Sequence, residues 1–276
     1  MGILLSETEK HYYRIHLYED IVNRLKDLNV DLSNTQRKDI ASVDEFHVRG
    51  AQVSKELADC LELNGTKVLD VGCGIGGPCR MLADEYNCDV TGIDLSHEFV
   101  DTAQKLSTLT GYNGNTKFVQ GDACDLPFED NSFDVVWTQH VQMNVENKPK
   151  FYAEIHRVLK PSGSFIYYDI LKDNNKPVDY PMPWANNSDI SFLAKPEEIE
   201  SLLWELNFEK VKYTNQTNPG IEFFEKLLQN IAQNGPPKLG LNVLMGESTK
   251  AKIVNLLAGL KEEKILLQSG IYKKSI

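Results

Sequence analysis

The sequence predicts an α/β fold: a doubly wound, mostly parallel seven-stranded sheet with a helical cap inserted before the last strand. Three observations carry that reading. From about residue 67 onward, short apolar runs alternate with helix-like stretches, as in βα units joined by right-handed crossovers. A glycine-rich turn, Gly72, Gly74, Gly76 and Gly77, joins the first apolar run to the first of those helices. The chain ends on KILLQSGIYKK (264–274), a strand-like run that returns antiparallel after two amphipathic stretches.

Taken in order, residues 1–45 form a polar, helical N-terminal arm. Tyr12, Ile15, Tyr18, Val22 and Leu25 recur at helical spacing within HYYRIHLYEDIVNRLKDL (11–28). In DEFHVRGAQVSKELADCLEL (44–63), Val53, Leu57, Cys60 and Leu61 share one face of the helix leading into the core. Strands are expected at 67–70, 88–94, 116–120, 133–138 and 164–169, with a helix over 151–159 stopped by Pro161-Ser162-Gly163. The connection KDNNKPVDYPMPWANNSD (172–189) is long and rich in proline, asparagine and aromatics, which suits an ordered lid. A helix over 197–206 and a strand over 208–213 precede an insertion, 215–263, with amphipathic stretches at 221–233 and 248–260. Placed over the carboxyl ends of the strands, that insertion would cap a ligand site. The domain reading is therefore an arm (1–45), a ligand-binding core (46–214), a cap (215–263) and the final core strand (264–276).

Composition narrows the function. The 276 residues are 41% hydrophobic, enough for one sizeable core with a subsidiary cap. A net charge of −11 with no basic stripe argues against a nucleic-acid partner. No run approaches the ~18 apolar residues of a membrane span. Cys60, Cys73, Cys79, Cys88 and Cys124 form no C-x-x-C pair and read as reduced core thiols of a cytoplasmic protein. The start, MGILLS, lacks a basic region and is not a signal peptide; Gly2 and Ser6 fit the acylation pattern M-G-x-x-x-[ST], but no polybasic segment follows, so an ordinary arm is preferred. His11, His16, His97 and His156 lack metal-ligand spacing, so no metal is expected, and no G-x-S-x-G elbow points to a hydrolase.

The chemistry concentrates in VLDVGCGIGGPCRMLA (68–83) and VTGIDLS (90–96). Glycines let the backbone approach a ligand at positive φ, and Asp94, ending the second strand, can accept hydrogen bonds from a ribose diol. Gly72, Gly74 and Gly77 also satisfy G-x-G-x-x-G, so a dinucleotide is the rival ligand. Asp70 weighs against it: its carboxylate would face a ligand ammonium but repel a pyrophosphate. Asp70, Asp94 and Asp122 at successive strand ends suit an aminoacyl-nucleoside.

Together VLDVGCGIGGP, TGIDLS, GDACDLPF, NSFDVVWTQHV and RVLKPSGSF resemble the ordered motif set of class I S-adenosylmethionine (SAM)-dependent methyltransferases, the small-molecule "type 11" group, over about residues 60–170. The flanking segments resemble sarcosine/dimethylglycine N-methyltransferases distantly. The resemblance implies the Rossmann-like methyltransferase fold, SAM as methyl donor and S-adenosylhomocysteine (SAH) as product. It places Asp70 and Gly72 at the methionine end, Asp94 on the ribose, Asp122 and Ala123 beside the adenine and Gln139 at the sulfonium; Gly74 and Leu95 complete the cofactor set.

The acceptor side follows from WTQHVQMN (137–144), which leaves the fourth strand where the sulfonium should lie. His140, Gln142 and Asn144 are candidates to face the acceptor. His140 either removes the acceptor's proton, since an imidazole titrates near neutrality, or only orients the substrate. In the sarcosine/dimethylglycine enzymes the residue after the glutamine looks acidic, a departure that puts that substrate in doubt. Tyr12, Tyr13 and Tyr18, with Phe46 and His47, either fold over a cationic amine or simply pack. Tyr180, Met182 and Trp184 either line the acceptor pocket or anchor the lid. The expected reaction is methyl transfer to an N or O atom of a small molecule, an amine such as a glycine derivative among the candidates. The rivals are a dinucleotide-dependent oxidoreductase and a SAM-binding module without catalysis; self-association is compatible with the sequence.

Overall fold

The computed structural model describes residues 5–275; Gly2 of the acylation pattern lies outside them. Five parallel strands run β1 (Lys67–Val71), β2 (Asp89–Asp94), β3 (Thr116–Gln120), β4 (Phe133–Gln139) and β5 (Leu159–Lys172). Then come β6 (Phe208–Asn215) and β7 (Ile265–Lys274), and the sheet order is β3-β2-β1-β4-β5-β7-β6. β7 lies antiparallel between β5 and β6. The order reverses at β1, and the switch point between β1 and its neighbours opens a crevice at the strands' carboxyl ends.

Before the sheet come α1 (Glu7–Tyr12), α2 (Leu17–Asp27), α3 (Arg37–Asp44) and α4 (Ala51–Ala58). The crossovers carry α5 (Gly77–Tyr86), α6 (His97–Leu109), α7 (Lys148–Val158) and α8 (Pro196–Glu205), and the insertion carries α9 (Thr217–Asn234), α10 (Asn242–Met245) and α11 (Thr249–Lys261). Both faces of the sheet are buried, so its central strands are continuously apolar: Val68, Leu69, Val135, Val136 and Trp137 are essentially inaccessible. Each such side chain contributes about 1.5–3 kcal/mol by leaving water.

Four expectations change. The helix expected over 11–28 is two helices, broken at residues 13–16, where His16 takes a left-handed conformation (φ 60°). The helix expected over 44–63 begins only at Ala51, because Arg49 and Gly50 both take positive φ. Pro161-Ser162-Gly163 does not end a helix; it lies inside the fourteen-residue β5.

The fourth concerns the lid and the cap. Residues 172–189 are a packed strap: Met182, Trp184 and Ala185 are fully buried, and Asn255 donates to the Pro181 carbonyl at 3.0 Å. The apolar side chains that suggested order are consumed in the core. None of the strap, and none of the 215–263 insertion, lines the crevice, because α9 and α11 pack on β7 and α10 packs on α2. The N-terminal arm closes the crevice instead. Its last helix, α3, abuts the start of α5, where a Cβ on Gly77 would collide with the Asp44 carbonyl. Buried Arg80 fixes the contact through Asp44, the Ile75 carbonyl and Ser107. Phe46 and His47 are thereby delivered to the crevice.

Candidate active site

The crevice is a cavity of about 480 Å³, reaching from the glycine turn to the turn after β4. Its first wall comes from β1 and the loop into α5. Gly72 (φ 74°) and Gly74 (φ 55°) hold that loop in conformations L-residues rarely adopt. Asp94 organises the loop. One carboxylate oxygen accepts the Gly74 amide (2.9 Å), the other the Ser96 amide (2.9 Å), leaving each with lone pairs toward the cavity. Asp70 is buried and accepts only the Cys79 thiol (3.2 Å), so burial pushes its pKa up to about 7. Leu95, Asp122 and Ala123 line the same wall, Asp122 accepting the Cys124 amide at 2.8 Å.

The opposite wall is the turn after β4. Gln139 accepts from the Trp137 indole (2.8 Å) and has the Ser54 oxygen 3.2 Å away, while its buried amide nitrogen has no partner. His140 takes φ 55°; its amide donates to the Tyr168 carbonyl (2.8 Å) and its Nε2 is buried and unpartnered. Burial lowers the His140 pKa well below the ordinary imidazole value, so the ring is neutral at pH 7. The next residue, Val141, donates its amide to Asp169 Oδ1 (3.0 Å), which fixes the turn; burial in turn raises the Asp169 pKa to about 8.

The arm supplies the roof. Thr8, Glu9 and Tyr12 of α1 line the cavity, and the Tyr12 hydroxyl donates to Asn144 Oδ1 (2.8 Å). Asn144 donates onward to the Trp184 and Ile190 carbonyls at 2.9 and 2.8 Å, tying arm, turn and strap together. His47 lines the cavity with its Nε2 3.1 Å from Glu45, and the Ser54 hydroxyl donates to the same Glu45 oxygen at 2.6 Å. Burial alone would raise the Glu45 pKa, but His47 and Ser54 outweigh it and hold the carboxyl below its usual range. The His47 and Tyr168 rings lie 6.0 and 5.1 Å from His140.

The structure thus brings Asp70, Gly72, Gly74, Asp94, Leu95, Asp122, Ala123, Gln139, His140, Asn144, Tyr12 and His47 to one cavity. Three expected residues lie elsewhere. Tyr13 is 45% exposed, since the chain leaves α1 there and turns outward. Gln142 sits in a three-residue turn (Gln142–Asn144) and points back into the sheet, donating to the Ile170 carbonyl at 3.1 Å. Trp184 is buried against the core with its indole on Ser191 (2.9 Å) and anchors the strap. Sequence reasoning missed Glu45, Ser54 and Asp169. Two adjacent acids before FHVRG were a usable signal for Glu45; Ser54 and Asp169 read as ordinary helix and strand positions. No group of three metal-ligating side chains occurs among the described residues, and no helix there is long and apolar enough to cross a membrane.

Sheet order, glycine turn and strand-end acids define the class I, SAM-dependent methyltransferase fold. Residues 69–167 match the methyltransferase domain family. The chain is similar to sterol 24-C-methyltransferase erg-4 of Neurospora crassa, 40% identical over 109 residues, which are 40% of this chain and 29% of that enzyme. It thus spans less than a third of that relative's length. It is also similar to sarcosine/dimethylglycine N-methyltransferase of Halorhodospira halochloris, 26% identical over 216 residues, covering 77% of this chain and 76% of that one. Among solved structures, Haemonchus contortus phosphoethanolamine N-methyltransferase 2 in complex with SAM superposes with TM-score 0.75 at 18% identity, covering 100% of this chain and 62% of that chain.

Proposed function

We propose that this protein transfers a methyl group from SAM to an N or O atom of a small-molecule acceptor that enters as an amine or a hydroxyl compound. One observation carries the reading. A single cavity holds a wall suited to a nucleoside (Asp94, Asp122, Ala123) and, across from the glycine turn, two buried side-chain nitrogens without a partner, Gln139 Nε2 and His140 Nε2. Bound SAM would supply the electrophilic methyl; Asp70 and Gly72 would hold its methionine end, Asp94 its ribose and Asp122 with Ala123 its adenine. The chain's task is then positioning, and holding acceptor and methyl in line is worth about 7–11 kcal/mol. His140, neutral and buried, accepts the acceptor's proton or orients its lone pair. Of the acids lining the cavity, Asp70, Asp94 and Asp122 would be taken by SAM and Asp44 is paired with Arg80, which leaves Glu9 and Glu146 against Lys150 for the acceptor. A screen of amine and phenol pools with methyl-labelled SAM, read by mass of the labelled product, tests the proposal; absence of label from every pool while SAM binds leaves the non-catalytic module.

Two cofactor predictions follow from the first wall. Asp94→Ala removes two charge-assisted ribose contacts, each worth ~1.5–3 kcal/mol, and releases the Gly74 amide. SAH affinity is expected to fall at least tenfold by calorimetry with circular dichroism unchanged; equal affinity refutes the ribose assignment.

Asp70 gives SAH binding a pH dependence. With a free-protein pKa of about 7, its carboxyl is largely protonated at pH 6 and must ionise to meet the ligand ammonium. Affinity should therefore rise with pH, roughly eightfold from pH 6 to pH 7.5. In Asp70→Asn the slope should vanish; a slope that persists places the titrating group elsewhere.

A further inference from the structure

Outside the cavity, the junction of α1, the strap and α11 holds three cationic or titratable side chains and no carboxylate partner. Lys252, in the first turn of α11, is only 2% exposed, yet its ammonium has one contact, to the Met245 carbonyl at 3.4 Å. Arg14 spends one end on the His11 and Tyr13 carbonyls (3.2 and 2.8 Å), while its Nε is buried without a partner. Its other terminal nitrogen lies beside Gly246, next to Met245, so both cations converge on the same stretch of backbone. His11 is buried; one ring nitrogen meets the Pro183 carbonyl at 2.8 Å and Nδ1 meets nothing. Among the described residues, none of the three forms an ion pair with Asp or Glu; Arg14 and Lys252 both act on His11, and Arg14 acts on Lys252.

The other buried cations are treated differently. Lys148 donates to three carbonyls (Gln142, Val145 and Phe192), and Arg80, though its Nε too lacks a partner, has Asp44, Ser107 and two carbonyls. Buried ammonium or guanidinium donors left free are costly, more so beside a second cation. Lys252 also occupies the end of α11 whose free amides favour an anion, so its own charge is opposed there.

We propose that Arg14 and Lys252, beside His11, form a binding site for an oxyanion, a phosphate or a carboxylate group, separate from the methyl-transfer cavity. The anion would take the free Arg14 Nε–H and the Lys252 ammonium hydrogens, with access past half-exposed Arg14; His11, held neutral by burial with its Nε2–H given to the Pro183 carbonyl, lines the junction without donating to it. Since α1 carries His11 on this side and Thr8, Glu9 and Tyr12 on the cavity side, the bound anion pins the helix that roofs the active site.

The test is thermal unfolding at pH 7 and fixed ionic strength, titrating inorganic phosphate or acetate against chloride, for the wild type, Lys252→Met and Arg14→Gln. Either oxyanion should raise the wild-type Tm saturably, by about 3–5 °C at concentrations far above its Kd, and the stronger of the two identifies the group recognised. Both variants should lose that shift, and Lys252→Met should melt higher than the wild type in chloride, having shed an uncompensated buried charge. Arg14→Gln, a half-exposed position, keeps the comparison available should Lys252→Met fold poorly. A wild-type response to both oxyanions no different from chloride, or an undiminished response in Arg14→Gln, overturns the site. SAH serves as the internal reference, because its shift reports the cofactor cavity alone, and its absence would count against the methyl-transfer reading and not against this one.

Discussion

Gly72→Ala is expected to abolish SAH binding and to lower stability, an effect larger than loss of the Asp94 carboxylate. Two costs combine. The residue sits at φ 74°, where an alanine is strained by about 1–2 kcal/mol. Its Cβ would also stand 3.0 Å from Val141 Cγ1 and closer still to Cγ2. Val141 cannot retreat easily, because its amide is held by buried Asp169 and the preceding His140 is already left-handed. The added methyl therefore pushes the cofactor loop and the acceptor turn apart together. Chemical denaturation should show a loss of about 2–4 kcal/mol, and calorimetry should show SAH affinity reduced beyond detection. Gly74→Ala is the internal comparison: nothing lies within 4 Å of its added Cβ, so only the φ 55° strain and the ligand itself oppose it. A Gly72→Ala protein that binds SAH as well as Gly74→Ala would show that contact with Val141 is not what the glycine serves.

That contact also marks where sequence reading stops. The strands, the glycine turn and the acids at the ends of β1 and β2 are legible because they depend on local periodicity and on chemistry within a few residues. The pairing of residue 72 with residue 141 depends on β1 lying beside β4, which no local pattern states. The arm fails for a related reason. A stripe of Tyr12, Ile15, Tyr18, Val22 and Leu25 fits a continuous helix, but a left-handed His16 resets the face, so Tyr12 turns into the cavity and Tyr13 into solvent. Apolar content likewise could not say whether Trp184 packs against a ligand or against the core; the Ser191 contact and the Asn144 bond to its carbonyl decide for the core. The Glu45–His47–Ser54–Gln139 network joins positions up to 94 residues apart through hydrogen bonds that a linear pattern does not encode.

Replacement of His140 is the second large effect expected, and the choice of variant matters. The residue holds φ 55°, which asparagine tolerates better than alanine, so His140→Asn removes the imidazole with less disturbance of the turn that seats Val141. A positioned base contributes about 10²–10⁴ in rate, and kcat should fall by at least 10² in the variant, measured with an acceptor from the labelling screen at saturating SAM. SAH affinity should change little, because the ribose and methionine contacts lie on the far wall. The pH profile separates a base from an orienting group. A base acts only when neutral, so kcat rises with pH through its pKa; burial has moved that pKa well below the ordinary imidazole value, and the acidic limb should sit well below pH 6.5 with a plateau across neutrality. If His140 takes the proton, His140→Asn loses that limb together with the rate. An orienting role gives a raised acceptor KM with kcat largely kept and the limb intact. Unchanged kcat, KM and limb would remove His140 from the acceptor site and shift the proton-accepting role to the one other imidazole lining the described cavity, His47, held by Glu45.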